Sequence, residues 1–425
     1  MKKLPGTKYL GLIIAVAVSL LFSLLLYFDT LESWNNLLSD SIYQKKRGLG
    51  SEIVIVGIDD VSLEALGKWP WPRSYHGLLL EAIDSGAPKA IGVDVLFIED
   101  SEEDEYFADS LRTLSQKPVL ACYGVLGDKE GPDMLYPVIM YKPAAMLREF
   151  ADLAHINAKI DKDGFLRHTI LHIYDVGAEG AADANDPPGD ELPMIPSFAL
   201  KIAKKAYGRS FDPPTDDCMR MPIRYAGKGG TFEQVPYYMV LTGEIDPEYF
   251  RDKIVLIGPT AVGLVDDYYF TPINRSFQMY GVEVHANIID QLSRGLSWQP
   301  LSKALQIAVL IALTLIAVLL LSRMRLLSGL LTVLALMGGL VGCGIYLAHQ
   351  ERGYLLDLIY PLGSISISFV LFYILRYVEE FVERKRVTNV FGRYMEPRLV
   401  ERLLKEGAEL GGERRELSVL FVDIR

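Results

Sequence analysis

Four long apolar runs divide the chain into membrane-like and polar stretches. Each has about the 17–25 residues that cross a bilayer as an α-helix. They are Leu10 to Tyr27, Ala304 to Leu321, Leu326 to Ala348 and Leu355 to Leu375, and only the last contains a charge, Asp357. The pattern predicts four transmembrane helices, with one large polar region between the first and the second.

The first run has an alternative interpretation as a cleaved signal peptide. The apolar core of such a peptide spans about 7–15 residues and ends at a small-x-small cleavage site. Leu10 to Tyr27 is longer, and Asp29, Thr30, Leu31 and Glu32 follow it without such a site. An uncleaved membrane anchor is therefore predicted.

Basic residues in short loops predict the orientation, because they remain on the cytoplasmic side. They are Lys2, Lys3 and Lys8 before the first run, Arg323 and Arg325 between the second and third, and Arg376, Arg384, Lys385 and Arg386 after the fourth. Lys303 is discordant, but its long side chain can reach the interface. We therefore expect a multi-pass cell-membrane protein with cytoplasmic termini and an extracytoplasmic region from Asp29 to Pro300.

The polar region alternates strand-like and helix-like segments, which is typical of an α/β fold. Strands are predicted at Ile53 to Ile58, Ala90 to Phe97, Val119 to Val125, Leu166 to Ile173 and Ile254 to Ile257. Helices are predicted at Tyr75 to Asp84, Ser197 to Tyr207 and Val282 to Leu292. The acidic, turn-rich stretch from Gly177 to Glu191 is predicted to be an exposed loop.

The composition and net charge of the chain indicate which classes of binding partner are expected. The chain has 425 residues, half of them hydrophobic, and a mean hydropathy of +0.20. Its net charge of -11 argues against nucleic acid as a partner, which requires a basic surface. Cys343 lies in the third run, whereas Cys122 and Cys218 could form a disulfide outside the cytoplasm. Two unpaired buried cysteines are the favoured interpretation.

Acidic residues follow several predicted strands, at the edge where open α/β sheets bind ligands. A site for a cation or an amine is one interpretation, with Arg73 pairing one carboxylate. The candidate residues are Asp59, Asp60, Arg73, Asp94, Asp266 and Asp267. The alternative is structural: Asp60 caps a helix, Arg73 forms a buried ion pair with Asp94, and the other acids are solvated.

The other candidate residues, two tryptophans and a histidine, are predicted to have structural roles. The segment Trp69-Pro70-Trp71-Pro72 could line a pocket, but its rings are expected to pack in the core. His285 has no second His or Cys at metal-binding spacing, so a hydrogen-bonded structural histidine is expected. No Ser/His/Asp arrangement or phosphate-binding glycine loop is recognisable. Hydrolase or transferase activity in this region has no support.

Several motifs in one order resemble the CHASE2 extracytoplasmic sensor domain. They are Ile58 to Leu63, Leu66 to Arg73, Ala90 to Phe97, Lys253 to Ala261 and Gly281 to Asn287. The resemblance covers nearly all of Asp29 to Pro300. It implies a receptor in which one span, the sensor and three further spans precede a cytoplasmic signalling domain.

The segment after the fourth run has an apolar stripe for a partner helix. Val387, Val390, Phe391 and Tyr394 lie at helical spacing, and a short helix is predicted from Pro397. The stretch Phe391 to Pro397 resembles the segment that joins the last span to the cyclase domain in such receptors. Phe391, Gly392, Tyr394 and Pro397 are therefore expected to transmit the signal, unless the segment is only a solvated linker.

The final apolar stretch, Glu416 to Arg425, predicts a buried strand and resembles the opening strand of class III nucleotidyl cyclase domains. The resemblance implies that Asp423 is the first of two aspartates that together bind two Mg²⁺ or Mn²⁺ ions in each active site, and that the Ile424 carbonyl is a further ligand. It also implies a homodimer that makes cyclic AMP from ATP. One carboxylate cannot hold two ions, so a chain truncated here is expected to be inactive alone.

We therefore predict an α/β sensor domain, four transmembrane helices and a short helical linker that ends in a β-strand. The predicted divisions are residues 1–28, 29–300, 301–378, 379–415 and 416–425. They correspond to the first span, the sensor, three spans, the linker and the first cyclase strand. The sensed ligand or protein is not identifiable from the sequence. The alternatives are a histidine kinase output and a non-enzymatic membrane scaffold that only binds a partner.

Overall fold

The computed structural model of the chain describes most of its residues. These are residues 5–49, 52–127, 131–176, 192–261, 263–264, 267–391, 416 and 418–423, with the side chains of 5–8 and 387–391 excepted. The predicted loop Gly177 to Glu191 lies outside the described residues.

Helices and strands alternate along the described chain, as predicted for an α/β protein. The helices are α1 (Pro5–Tyr27), α2 (Glu32–Tyr43), α3 (Asp60–Leu66), α4 (Arg73–Ser85), α5 (Asp104–Thr113), α6 (Ala145–Arg148), α7 (Phe198–Tyr207), α8 (Tyr237–Leu241), α9 (Gly281–Ser293), α10 (Lys303–Leu321), α11 (Leu326–Ala348) and α12 (Ile359–Phe391). The strands are β1 (Ile53–Ile58), β2 (Ala90–Val93), β3 (Val119–Val125), β4 (Ile139–Tyr141), β5 (Asp152–His155), β6 (His168–Ile170), β7 (His172–Tyr174), β8 (Met194–Pro196), β9 (Arg220–Pro222), β10 (Glu233–Pro236), β11 (Ile254–Pro259), β12 (Tyr268–Thr271), β13 (Asn274–Tyr280), β14 (Ser297–Pro300) and β15 (Arg352–Leu355).

A mostly parallel sheet forms the centre of the domain. Its order is β10-β1-β11-β2-β3, and β3 also pairs in parallel with β5 and antiparallel with β4. Ile55 of β1 is in register with Leu256 of β11, which is in register with Gly92 of β2. Every residue of β1 and β2 is buried, because both faces of a parallel sheet are covered.

One hydrophobic core lies on each face of this sheet. Helices α7 and α9 pack on one face, and α4, α5 and α8 pack on the other. Gly92 is required where α7 approaches, because a Cβ there would lie 2.2 Å from Cδ1 of Ile202. The absence of a side chain allows this close contact between helix and strand.

The sequence prediction is accurate for the elements with continuous apolar patterns. The predicted strands Ile53 to Ile58 and Val119 to Val125 have the observed bounds, and the ends of the predicted helices differ from the observed ends by at most two residues. Two predicted strands are too long. The strand from Ala90 ends at Val93, and Leu166 to Ile173 contains β6 and the start of β7.

The described chain forms two compact units. One contains residues up to Phe22, residues Leu310–Leu336 and the residues from Gly363 onward, and the other contains Ser23–Val309 and Met337–Leu362. The first is formed by apolar helical segments. Within it, Thr314 Oγ1 and Ser364 Oγ lie 2.8 Å apart and join α10 to α12. The second contains the sheet and both of its cores.

Four helices are long and apolar enough to cross a membrane, as predicted. The spans are Tyr9–Tyr27, Lys303–Leu321, Leu326–Ala348 and Ile359–Arg386. The fourth begins later than the predicted Leu355, because Arg352–Leu355 forms β15. This strand pairs in parallel with β14, which immediately precedes the second span. The segment before the second span and the one between the third and fourth therefore lie on the same side of the spans.

Two further predictions concern the cysteines and the C-terminal segment. Cys122 and Cys218 are buried and unpaired, as favoured. The predicted strand at Glu416 to Arg425 is wrong for the residues described there: Ser418 to Asp423 has no regular structure, and Phe421 is 93% exposed. A strand needs a neighbour for its backbone groups, and no described segment pairs with this one. Gly392, Tyr394, Pro397 and Ile424 lie outside the described residues, and Phe391 is the last residue of α12.

Candidate functional site

Two of the predicted acids, Asp94 and Asp267, meet beneath the surface of the domain. Asp94 directly follows β2, where its N–H donates to the carbonyl of Ile257 in β11 at 2.7 Å. Asp267 precedes β12, and its carboxylate lies against the first residue of α9, Gly281. The Gly281 N–H also donates to the Asp267 carbonyl at 2.9 Å. The sheet edge at which a ligand site was predicted thus contains two neighbouring carboxyl groups, those of Asp94 and Asp267.

Burial determines the protonation of this pair. It raises the pKa of Asp94 well above the usual value, and the nearby charge of Asp267 raises it further. Burial also raises the pKa of Asp267, against a hydrogen bond with Tyr269 that lowers it. Asp94 is buried and Asp267 is half-buried, and two neighbouring carboxyl groups withdrawn from water do not both ionise readily. We therefore expect the pair to keep a proton where exposed aspartates have lost theirs.

His285 completes this cluster from α9. Its Nε2 lies 4.0 Å from Oδ2 of Asp94, and its ring centroid is 5.0 Å from that of Phe198. Burial lowers the pKa of His285 to about 4, so the ring is neutral at neutral pH. Its Nδ1 has no hydrogen-bond partner among the described atoms, and neither does Asp94 Oδ2. His285 is therefore a largely buried histidine, as expected for a structural role, but its Nδ1 lacks the hydrogen bond that was expected.

Two other predicted acids near the sheet edge, Asp59 and Asp60, do not join this cluster. Asp59 caps α3, because its carboxylate accepts a hydrogen bond from the Ser62 N–H at 2.8 Å. The cap was expected one residue later, at Asp60, which is the exposed first residue of α3. Asp266 lies outside the described residues.

Arg73 belongs to a different part of the domain. It begins α4, pairs with the carboxylate of Asp104 at the start of α5, and donates to the carbonyl of Glu99. The alternative expectation of an Arg73–Asp94 ion pair is therefore wrong. The two helices pack side by side, which brings Arg73 to Asp104 and away from the Asp94 cluster.

A second polar cluster lies where the sensor meets the spans and was not predicted from the sequence. Oδ1 of Asp357 accepts a hydrogen bond from Asn35 Nδ2 of α2 at 2.6 Å, and Oδ2 accepts one from Gln306 Nε2 of α10 at 2.9 Å. The Asp357 N–H donates back to Gln306 Oε1 at 2.9 Å. We call Asn35, Gln306 and Asp357 the junction cluster. It connects α2, α10 and the turn before α12.

Helix α2 is also fixed to the body of the sensor. The carboxylate of Asp40 accepts hydrogen bonds from Arg167 Nε at 3.1 Å and Nη2 at 2.9 Å. Arg275 donates to the same carboxylate at 2.5 Å. Asp40 is 7% exposed, so this ion pair is buried. The helix that follows the first span is therefore held rigidly against the α/β domain.

The described residues hold no group of three or more His, Cys, Asp or Glu side chains suited to a metal ion. The Asp94 cluster therefore has too few ligands for a metal centre. Its chemistry is that of a buried, proton-holding pair beside a neutral imidazole.

Comparison with known families gives one match. The CHASE2 domain matches residues 13–322, which include most of the first span, the sheet domain and the second span. No curated protein and no solved structure matches this chain. CHASE2 is a sensor domain of signalling receptors. Because the match covers well over half of the sequence, this chain belongs to the CHASE2 family.

Proposed function

We propose that this chain is the sensory and membrane part of a receptor that controls a cytoplasmic class III cyclase, which makes cyclic AMP from ATP. The observation that carries the proposal is the CHASE2 match over residues 13–322. The matched region contains a sensor domain flanked by helices that are long and apolar enough to cross a membrane. A soluble binding protein needs no such helices.

The proposed orientation places the sheet domain outside the cytoplasm of the cell membrane. The distribution of basic loop residues supports it, and so does the pairing of β14 with β15, two segments assigned to the outer side. The discordant Lys303 has a local partner there, because its Nζ lies 2.6 Å from Oδ2 of Asp29. Its charge is thus compensated at the end of the spans.

The junction cluster provides a physical route from the sensor to the spans. A movement of the α/β domain would pull on α2 through Asp40, because the Asp40 carboxylate forms an ion pair with Arg167 of that domain. Asn35 on the same helix is hydrogen-bonded to Asp357, two residues before α12 begins. Helix α12 then runs without interruption from Ile359 to Phe391. A change at the junction cluster would therefore displace a single continuous helix that leads to the output.

The output assignment rests on the resemblance of the last residues to a cyclase opening strand. We propose that Asp423 supplies a ligand for Mg²⁺ or Mn²⁺ in the complete enzyme. The described residues do not themselves fit a two-metal site: Asp423 is exposed, and no second carboxylate of the required set accompanies it. We also propose a homodimer, because the active sites of the resembling cyclases form between two catalytic domains.

The test is cyclic AMP formation from ATP with Mn²⁺, in membranes that carry the uninterrupted reading frame. We expect activity in the intact protein, loss of it in the Asp423→Ala variant, and none in the 425-residue chain. An exposed acid outside the cyclase segment provides a matched control, since Asp109→Asn should leave the rate unchanged. No conversion of ATP or GTP by the intact protein would exclude the cyclase output. Autophosphorylation on histidine would then favour the kinase alternative, and its absence would favour a binding scaffold.

A further inference from the structure

A cavity of about 630 Å³ opens between the Trp69–Pro72 segment and the chain that follows β2. Its aromatic walls are Trp69, Trp71, Phe97 and Tyr141, and Glu99 and Asp100 lie at its acidic side. We call it the tryptophan cavity. The volume is within the roughly 300–1,000 Å³ that is usual for small-molecule sites.

Contacts within the protein hold the aromatic wall in place. Trp71 is buried, and its Nε1 donates to the Gly67 carbonyl at 2.9 Å. Its ring centroid lies 4.8 Å from that of Tyr237 and 5.2 Å from that of Trp69. Tyr141, from β4, remains 39% exposed. The wall is therefore a preformed aromatic surface that a ligand can reach.

The charges around the tryptophan cavity favour a positive ligand. Arg73 is the one cationic side chain among the described residues that line it, and that guanidinium already pairs with Asp104 and donates to the Glu99 carbonyl. The carboxylates of Glu99 and Asp100 are exposed, and no described cation forms an ion pair with either. The charged side chains around the cavity therefore carry a net negative charge.

The histidine that lines the tryptophan cavity adds no positive charge. Burial lowers the pKa of His76 to about 3, and its Nδ1 is 2.9 Å from the hydroxyl of Tyr237. The ring is therefore neutral at physiological pH. An anionic ligand would meet the carboxylates of Glu99 and Asp100, and the cation that lines the cavity, Arg73, already interacts with both of these charges and with Asp104. This class of ligand is therefore disfavoured.

We propose that the tryptophan cavity binds an organic ammonium ion that carries an apolar group. Aromatic faces attract such a cation by about 0.5–2 kcal/mol each when it is partly desolvated. The carboxylates of Glu99 and Asp100 attract its charge, and the Trp69 ring covers its apolar part; the Phe97 ring is already covered by the Arg73 guanidinium, whose Cζ is 5.7 Å from the ring centroid. A metal ion does not fit, because no three suitable ligands converge in the described chain. This ligand assignment goes beyond the proposed output and holds whether or not the receptor controls a cyclase.

Direct binding to the purified full-length chain in non-ionic detergent tests the proposal. The probe is 2-phenylethylammonium, and its neutral near-isostere 2-phenylethanol is the matched control. Trp69 and Trp71 are two of only four tryptophans, so indole fluorescence reports on the cavity. We expect a saturable change with the ammonium ion and binding at least ten-fold weaker with the alcohol. Equal binding of the two probes, or no saturable change, would overturn the proposal.

Variants then locate the site. We expect Trp69→Leu to abolish binding and Trp69→Phe to retain part of it, because a ring is restored. Asp100→Asn should weaken binding by about two- to five-fold, the usual value of an exposed charge pair. The controls are Trp34→Leu on α2 and Asp109→Asn on α5, both exposed and outside the cavity. Full binding by Trp69→Leu, or an equal loss in the controls, would contradict the assignment. Because the readout is binding, its failure would leave the cyclase test unaffected.

Discussion

Asp40 and Arg167, 127 residues apart in the chain, form a buried ion pair with Oδ2 and Nη2 2.9 Å apart. Arg167 also donates to Asp161 at 2.9 Å and to Asp163 at 2.7 Å. The guanidinium therefore organises three carboxylates, of which one belongs to the helix that follows the first span. Burial by itself would lower the pKa of Arg167, but the hydrogen bonds and charges of these carboxylates together keep it above its usual value.

The first prediction concerns the stability of this attachment. Arg167→Ala leaves the buried carboxylate of Asp40 without its bidentate partner, which should lower the free energy of unfolding by about 3–5 kcal/mol. Denaturant unfolding of the full-length chain in detergent, followed by tryptophan fluorescence, measures the change. Arg112→Ala is the control. Its ion pair with Asp109 is 62% exposed on both sides, so a change below about 1 kcal/mol is expected. Equal effects of the two variants would contradict the assigned role of Arg167.

The second prediction concerns pH and Asp94. Burial raises the pKa of Asp94 in the folded protein, whereas an unfolded aspartate titrates near about 3.9. The stability linked to its protonated form is therefore fully present below about pH 4 and is lost as the pH rises through the raised value. Asp94→Asn carries no titrating group there. We expect its free energy of unfolding to fall less than that of the wild type between about pH 4 and 7.

The contribution of His285 to the free energy of unfolding changes with pH in the opposite direction over the same pH range. Its pKa is lowered to about 4 by burial, so its contribution is lost as the pH falls from about 6.5 through 4. The quantity to compare is therefore the difference in slope between Asp94→Asn and the wild type, with Asp109→Asn as an exposed control. Identical slopes for all three proteins would show that Asp94 is ionised in the folded state.

The third prediction concerns the contact between Gly281 and Asp267. A Cβ at Gly281 would lie 1.9 Å from Oδ2 of Asp267, so Gly281→Ala should lower the free energy of unfolding by about 1–3 kcal/mol. In an Asp267→Ala background the obstructing carboxylate is absent, and the same substitution should be nearly neutral. A double-mutant cycle measures this coupling.

Gly48→Ala is the control for that cycle, because nothing lies within 4 Å of its Cβ position. Gly48→Ala should change the free energy of unfolding little, both in the wild type and in the Asp267→Ala variant. Additive effects of Gly281→Ala and Asp267→Ala would show that the two residues are not in contact, and would contradict the geometry of the Asp94 cluster.

The elements predicted well are those in which the local pattern has one physical solution. A six-residue apolar run such as Ile53 to Ile58 is a fully buried strand of a parallel sheet, and α7 follows the helical period from its Ser197 cap. The four spans were predictable because length and hydropathy alone define them. The strand predicted at Glu416 to Arg425 is not formed in the residues described there, because strand formation depends on a partner that the local sequence does not specify.

Which residues meet in the candidate sites depends on contacts between segments that are far apart in the sequence. Asp94 and Asp267 meet because β11 lies between β1 and β2 in the sheet, an arrangement that neither local pattern specifies. Arg73 was assigned to the wrong carboxylate for the same reason. Asp357 appeared to be a charge inside the fourth span, but it lies before α12 and is hydrogen-bonded to Asn35 and Gln306. Its position so close to an apolar helix was the sequence signal for a functional polar group.

The fourth prediction tests the central claim, that the sensor controls the output through the junction cluster. The measurement is the rate of cyclic AMP formation by the complete protein in membranes, with Asp357→Ala compared against Glu351→Ala. Asp357→Ala leaves the side chains of Asn35 and Gln306 without their shared acceptor, whereas Glu351 is an exposed residue of the same loop. We expect Asp357→Ala to change the rate several-fold at unchanged protein level, and Glu351→Ala to leave it unchanged. An active enzyme with the same rate in both variants would contradict the account.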